Sequence, residues 1–185
     1  MEEPQQIHLN TKDIIIRYGL ICGGFSILVI AILYLIDASM IFGYVAYIGI
    51  AGMFVVSVLA AIKKKSTNDG LISYGESVTT SIATFSIGQT IYTLFMLLLY
   101  FVIDPSLIAR MKNVQLQRMD KYMASGALTK EQYNAAATSI ENIGSKTILF
   151  YSVTGLIVVI ILSLIVFLLT SIFIKKDSPF KNSPA

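Results

Sequence analysis

Four long apolar runs constrain this chain more than any other feature of its sequence. A run of about 18 or more apolar residues is long enough, at about 1.5 Å per helical residue, to cross a hydrocarbon core of about 30 Å. Hydrophobic residues make up 55% of the 185 positions and charged residues only 14%, too few charges to solvate a soluble domain. The sequence therefore predicts an all-α membrane protein of one domain, residues 1–185. Its four transmembrane helices are expected at about residues 14–36, 40–62, 78–103 and 148–174.

The basic residues lie beside these runs and predict the orientation, because Lys and Arg next to spans are retained on the cytoplasmic side. With the N-terminus inside, the inner segments hold eight basic residues: Lys12, Arg17, Lys63, Lys64, Lys65, Lys175, Lys176 and Lys181. The outer segments hold six, diluted over a longer acidic stretch: Arg110, Lys112, Arg118, Lys121, Lys130 and Lys146. We therefore expect both termini in the cytoplasm. The same placement explains the net charge of +3 by topology, so no nucleic-acid partner is expected.

The segment 104–147, between the third and fourth runs, has a helical pattern. Apolar side chains recur near a 3.6-residue period from Ser106 to Met123, and a Ser-Gly pair then ends the pattern. Thr129 and Gln132 form a capping-box pattern for a second helix. We expect an extracytoplasmic amphipathic helical hairpin that lies on the outer leaflet or across the mouth of the bundle. Two roles stay open for it, covering the bundle or binding a partner.

Residues able to carry out catalysis are scarce. The single histidine, His8, lies in the polar N-terminal tail, and the single cysteine, Cys22, lies within the first run, where we expect it to be buried and inert. The sequence has no HExxH or CxxC motif and no glycine-rich phosphate loop. We therefore predict no catalytic residue, no metal site and no cofactor, and expect that the protein is not an enzyme.

The third run is the exception to uniform apolarity. Glu76, Thr80 and Thr84 recur every four residues and stack on one side of a helix, with Gly88 continuing the row. Gln89 would lie near the middle of the membrane, where an unpaired amide is costly. Two interpretations compete for these candidate polar positions. They are contacts between packed helices, or they line a hydrated path with Glu76 as an ionisable gate. Packing is favoured, because Glu76 lies at the inner boundary and can reach headgroup water.

Several short segments together suggest a family. They are YGLICGG at the start of the first run, lysines after the second, GLISYGES before the polar third run, and TKEQY in the outer segment. This pattern resembles the domain of unknown function 4199 family, small membrane proteins mainly of Bacteroidota bacteria, over about residues 14–176. The resemblance implies a bacterial inner membrane. It implies no activity, so it assigns no functional residue.

The leading hypothesis from the sequence is a non-enzymatic structural or accessory component of the inner membrane. The alternative is a small oligomeric transporter or channel that uses the polar face of the third span. The expected partners are the lipid bilayer and either a second copy of the chain or another membrane protein. No small-molecule ligand is identifiable from the residues.

Overall fold

The computed structural model describes residues 10–176, which fold into six α-helices. These are α1 (Thr11–Ile36), α2 (Tyr47–Thr67), α3 (Tyr74–Leu98), α4 (Leu107–Ala124), α5 (Lys130–Glu141) and α6 (Ser145–Ile174). A 3₁₀ link, made of Ala38–Phe42 and Tyr44–Ala46, joins α1 to α2, and a π-helical turn, Leu99–Ile103, continues α3.

Four of these helices are long and apolar enough to cross a membrane: α1, α2 with the 3₁₀ turn before it, α3 with the π turn after it, and α6. They confirm the predicted all-helical architecture with four long apolar helices. We refer to them below as the spanning helices. The single-domain organisation over residues 1–185 stays a prediction.

The ends of the spanning helices differ from the predicted spans, because hydropathy marks the limits of an apolar run and not those of backbone hydrogen bonding. The second span was predicted at 40–62, yet α2 begins at Tyr47 and continues past three lysines to Thr67, since lysine is a good helix former. The residues before α2 form the 3₁₀ link, which Asp37 caps by accepting a hydrogen bond from the Ser39 amide at 2.8 Å. The third span was predicted to begin at Val78, but a capping box starts α3 at Tyr74.

Helix α3 packs against all three of the other spanning helices. Its contact with α1 is close because glycines face side chains across the interface. A Cβ placed on Gly19 or Gly23 would lie 2.7 Å from a side-chain atom of Ile87 or Ile91, respectively. A Cβ on Gly88 would lie 2.4 Å from the Cβ of Cys22. Small residues therefore set the distance between α1 and α3, as in other membrane helix pairs.

Three phenylalanines form the aromatic centre of the bundle. The ring of Phe85 on α3 lies 4.7 Å from that of Phe54 on α2 and 5.7 Å from that of Phe167 on α6, measured between centroids. The side chains of Phe85 and Phe167 are fully buried. These contacts are within the range of favourable aromatic pairs, and they join α2, α3 and α6 at one level.

Backbone and lysine contacts fasten the end of the bundle at which α2 and α6 finish. The Lys65 ammonium donates to the carbonyl of Ile174 at 2.7 Å. Ile72 and Lys176 exchange two backbone hydrogen bonds, at 3.0 and 2.9 Å. The α2–α3 loop and the end of α6 are thus held together at this end, which we call the lysine end.

The opposite end begins at the π turn. The Asp104 amide donates to the carbonyl of Leu99 at 2.9 Å, and the hydroxyl of Tyr34 on α1 donates to Asp104 Oδ2 at 3.1 Å. A hydrogen bond from the Ser106 hydroxyl is the largest cause of a lowered pKa at Asp104, to which the bond from Tyr34 also contributes. The charged carboxylate is therefore favoured, and the stability that it contributes is lost progressively as pH falls from the ordinary aspartate pKa through that lowered pKa.

Two helices lie between the third and fourth spanning helices, as predicted. Helix α4 packs against the 3₁₀ link: Leu107 is buried, and Arg118 donates to the carbonyl of Phe42 with its guanidinium 5.5 Å from the centre of the Tyr44 ring. The Lys112 ammonium donates to the carbonyl of Glu141, joining α4 to α5 at 2.7 Å. The predicted capping box of Thr129 and Gln132 starts α5. The side of the membrane on which this pair lies stays a prediction.

Candidate functional site

Glu76 lies at the lysine end of α3, apart from the other candidate positions. Its carboxylate accepts from the Ser73 amide at 3.1 Å, while the Ser73 hydroxyl accepts from the Glu76 amide at 3.3 Å, completing a capping box. Lys64 of α2 forms an ion pair with it at 3.5 Å. The Glu76 side chain is 48% exposed. Its contacts start a helix and connect two helices, and they do not place a carboxylate inside the bundle.

Thr80 and Thr84 are buried, with exposed fractions of 1% and 0%. The row that they form along α3 continues to Gly88, which packs against Cys22 of α1. The hydroxyl of Thr84, like that of the neighbouring Ser81, has no hydrogen-bond partner among residues 10–176. The structure thus places Thr80 and Thr84 together in the packed interior of the bundle.

A buried pair of serine side chains joins α3 to α6 directly. The Ser77 hydroxyl donates to the Ser171 hydroxyl oxygen at 2.9 Å, and both side chains are fully buried. This is the kind of interhelical hydrogen bond that membrane helices use to associate.

We expect this serine pair to contribute modestly to stability. In a double-mutant cycle of Ser77→Ala and Ser171→Ala, the coupling free energy should be about 0.6 kcal/mol, the average for such pairs in membrane proteins. The free energies of unfolding would be measured by titration with a denaturing detergent. Additive effects of the two substitutions would contradict a direct bond.

Gln89 is the candidate position that borders open space. Its side chain is 4% exposed, and its Oε1 atom has no hydrogen-bond partner within the described part of the chain. It was predicted to face other helices, and it does, but it also lines a cavity between α3 and α6. Leaving such an amide unpaired is costly, so we expect Gln89 to have a hydrogen-bond partner beyond these residues.

That cavity, which we call the α3–α6 crevice, has a volume of about 250 Å³. It is lined by Ile50, Gln89, Tyr92, Thr93, Met96, Tyr100, Tyr151, Ser152, Gly155, Leu156 and Val159. A second cavity of about 250 Å³ shares Tyr100, Tyr151 and Ser152 with it and reaches Met111 and Gln115 of α4. The crevice therefore runs along α3 from Gln89 towards the end of the bundle against which α4 packs.

Sequence reasoning missed the crevice and its tyrosines. Tyr92, Tyr100 and Tyr151 are visible in the sequence as hydroxyl-bearing residues within apolar runs. No local sequence pattern, however, shows that these tyrosines line the same cavity, because they lie on two different helices. The signal that the sequence does offer is Gln89, because an unpaired amide is costly within a membrane.

Metal-binding groups do not converge within residues 10–176: the structure has no cluster there of three or more His, Cys, Asp or Glu side chains. Cys22 is buried, as expected. His8 lies outside the described residues.

Four helices long and apolar enough to cross a bilayer, packed around a polar-faced third helix, indicate a polytopic α-helical membrane protein. The chain belongs to the family of proteins of unknown function designated DUF4199, which matches residues 17–176. This confirms the family resemblance seen in the sequence. No curated protein and no solved structure matched the chain.

Proposed function

We propose that the protein is a non-enzymatic structural or accessory component of a bacterial inner membrane, in a Bacteroidota bacterium as the family resemblance implies. The observation that supports this most is the packing of the polar face of α3. Thr80 and Thr84 are buried against other helices, and Ser77 is bonded to Ser171. A catalytic site would instead need titratable groups that converge on an accessible space. Glu76, the acidic candidate, is used in a helix cap.

An accessory role requires association within the bilayer, with a second copy of the chain or with another membrane protein. Helices α1 and α6 supply outward apolar side chains for it, such as Leu28 and Ile161, which are 58% and 59% exposed. A photocrosslinking residue at each position, in cells with native expression levels, should give a discrete protein adduct from at least one face. The same residue at the buried position Phe85 is the matched control and should give none. Lipid adducts alone at every exposed position would contradict the proposal.

The proposed orientation places both termini in the cytoplasm and the α4–α5 pair outside. The positions of the lysines support this orientation. Those near the end of α2 (Lys63, Lys64 and Lys65) lie at the same end of the bundle as those after α6 (Lys175 and Lys176), because the hydrogen bond from Lys65 to Ile174 joins the ends of these two helices.

Topology reporters test this orientation. Fusions after Lys65 and near Lys121 should report opposite sides of the membrane, with the Lys65 fusion active in the cytoplasm. A fusion in the link after Asp37 is the control and should agree with the one near Lys121. Reporters at Lys65 and Lys121 on one side would overturn the four-span arrangement.

A second candidate function, a small oligomeric transporter or channel, is favoured by one observation. Thr84 Oγ1 and Gln89 Oε1 are buried polar atoms of α3 that have no hydrogen-bond partner among the described residues. If an opened conformation hydrated these atoms, Gln89→Leu and Glu76→Gln would abolish ion or solute flux in proteoliposomes. Flux equal to that of the wild type in both variants, or none in the wild type, would refute this function.

A further inference from the structure

We propose that the α3–α6 crevice binds an uncharged, membrane-dissolved molecule whose hydroxyl group forms a hydrogen bond with Gln89. This inference goes beyond the structural role proposed above and does not depend on it. It assigns a small-molecule site to a chain whose sequence suggested none.

The first argument is the state of the Gln89 carboxamide. The side chain is more than nine-tenths buried, lines the crevice and leaves Oε1 without a partner among residues 10–176. Rotation about the last side-chain bond exchanges the oxygen and nitrogen of a carboxamide, so either end can face the crevice. A hydroxyl both donates and accepts a hydrogen bond. It therefore pairs with Gln89 in either orientation, which a ketone, an ester or an ether cannot do.

The second argument is the charge and polarity of the walls. None of the described residues that line the crevice is charged, so an ionic group would lack a counter-charge in a medium where an unpaired charge is expensive. Most of the surface that lines the crevice is apolar, with contributions from Ile50, Met96 and Val159. An uncharged ligand with a large apolar part fits this lining.

The third argument is depth and access. Gln89 lies about half-way along the helical stretch Tyr74–Ile103, so it is near the middle of the bilayer. From there to Tyr100 the crevice extends roughly 16 Å along the helix axis. Tyr151, at this end of the crevice, is 60% exposed on the outer surface of α6, where lipid is the neighbouring medium. A ligand of this site would therefore enter from the bilayer, near the edge of its hydrocarbon core.

The volume limits how much of the ligand is enclosed. About 250 Å³ is slightly less than the usual volume of a small-molecule site. It holds one ring or a short length of chain. The hydroxyl can be aliphatic, as in a diacylglycerol, or aromatic, as in a long-chain alkylphenol. The structure supports a hydroxyl-bearing ligand in either case, and the experiment below distinguishes the aliphatic from the aromatic alcohol.

The test uses the purified full-length protein in nanodiscs and two photoreactive probes, a diacylglycerol and a long-chain alkylphenol. Each is compared with its own O-methyl ether, which is larger by one methyl group and has no hydrogen-bond donor. We expect at least one hydroxyl probe to label peptides of α3 and α6 beside the crevice about fivefold more than its ether, the effect of one hydrogen bond. The probe that does so identifies the source. Equal labelling by the hydroxyl probe and its ether in both pairs would overturn the proposal. That result is also the one expected if water is the hydrogen-bond partner of Gln89.

Two variants test the site through different properties. Gly155→Leu should reduce crevice labelling by roughly tenfold or more, because a Cβ at Gly155 meets no atom within 4 Å and the new side chain can occupy the open space. Gly24→Leu is the matched control, since Gly24 also has open space but lies on α1.

Gln89→Leu should abolish the preference for the hydroxyl over the ether. Thr84→Val, which removes another unpartnered buried hydroxyl, should leave that preference unchanged. Wild-type labelling in Gly155→Leu, or a preserved preference in Gln89→Leu, would refute the site.

Discussion

Gly88→Ala is expected to force α1 and α3 apart and to lower the free energy of unfolding by about 2 kcal/mol. The added Cβ would lie 2.4 Å from the Cβ of Cys22 and 3.3 Å from the backbone nitrogen of Gly23. Neither atom is the far end of a flexible side chain, so the helices themselves have to move. Stability would be measured by titrating the protein from mild into denaturing detergent, with helicity as the signal.

Cys22 supplies a second and more local measurement. It is the only cysteine of the chain and is fully buried beside Gly88. Its rate of alkylation should therefore rise in Gly88→Ala under conditions in which the protein stays folded. Gly24→Ala is the matched control, because its Cβ meets no atom within 4 Å. That variant should be neutral or more stable by up to about 1 kcal/mol, since alanine is the better helix former. Equal stability and equal thiol reactivity in the two variants would contradict the close α1–α3 contact.

Phe85→Ala should have an effect of similar or larger size, about 3 kcal/mol of destabilisation. Its ring contacts Phe54 and Phe167 from two other spanning helices and is fully buried. Truncating a buried phenylalanine removes packing contacts and leaves a cavity. We place the expectation at the low end of the usual range because the separated helices remain in lipid, so little hydrophobic transfer energy is lost.

The control for this prediction is Leu94→Ala on the same helix. Leu94 is 61% exposed on the outer surface of the bundle, where lipid replaces the lost contacts, so the free energy of unfolding should change by less than about 0.5 kcal/mol. The same detergent titration compares both variants. If Phe85→Ala were as mild as Leu94→Ala, the aromatic centre would not hold α2, α3 and α6 together.

Much of this fold could be predicted because its main features are local. Long apolar runs specify the spanning helices through their length alone, and the capping box at Thr129 specifies the start of α5 through two residues. The ends of α2 could not be found in this way. The lysines after Ile62 mark the end of the apolar run, but they are compatible with a helix that continues to Thr67.

The candidate site was only partly predictable, because a face of one helix does not specify which neighbours it meets. The spacing of Thr80 and Thr84 placed them on one side of a helix, and both side chains are buried. Glu76 belongs to the same row by spacing, but it lies in the first turn of α3 and pairs with Ser73 and Lys64. The space beside Gln89 depends on the separation of α3 and α6, which is a tertiary property that no local pattern encodes.

The π-helical turn at Leu99–Ile103 is the place on the third spanning helix where the chain can absorb a change of length. A π turn holds one residue more than an α-helical turn. A single-residue deletion within it would turn it into an ordinary α-helical turn and leave the direction of all that follows nearly unchanged. The same deletion within the regular part of α3 would rotate everything after it by about 100° about the helix axis. Arg118 would then leave the carbonyl of Phe42 to which it now donates, so the fold should tolerate a deletion at the π turn better than one elsewhere in α3.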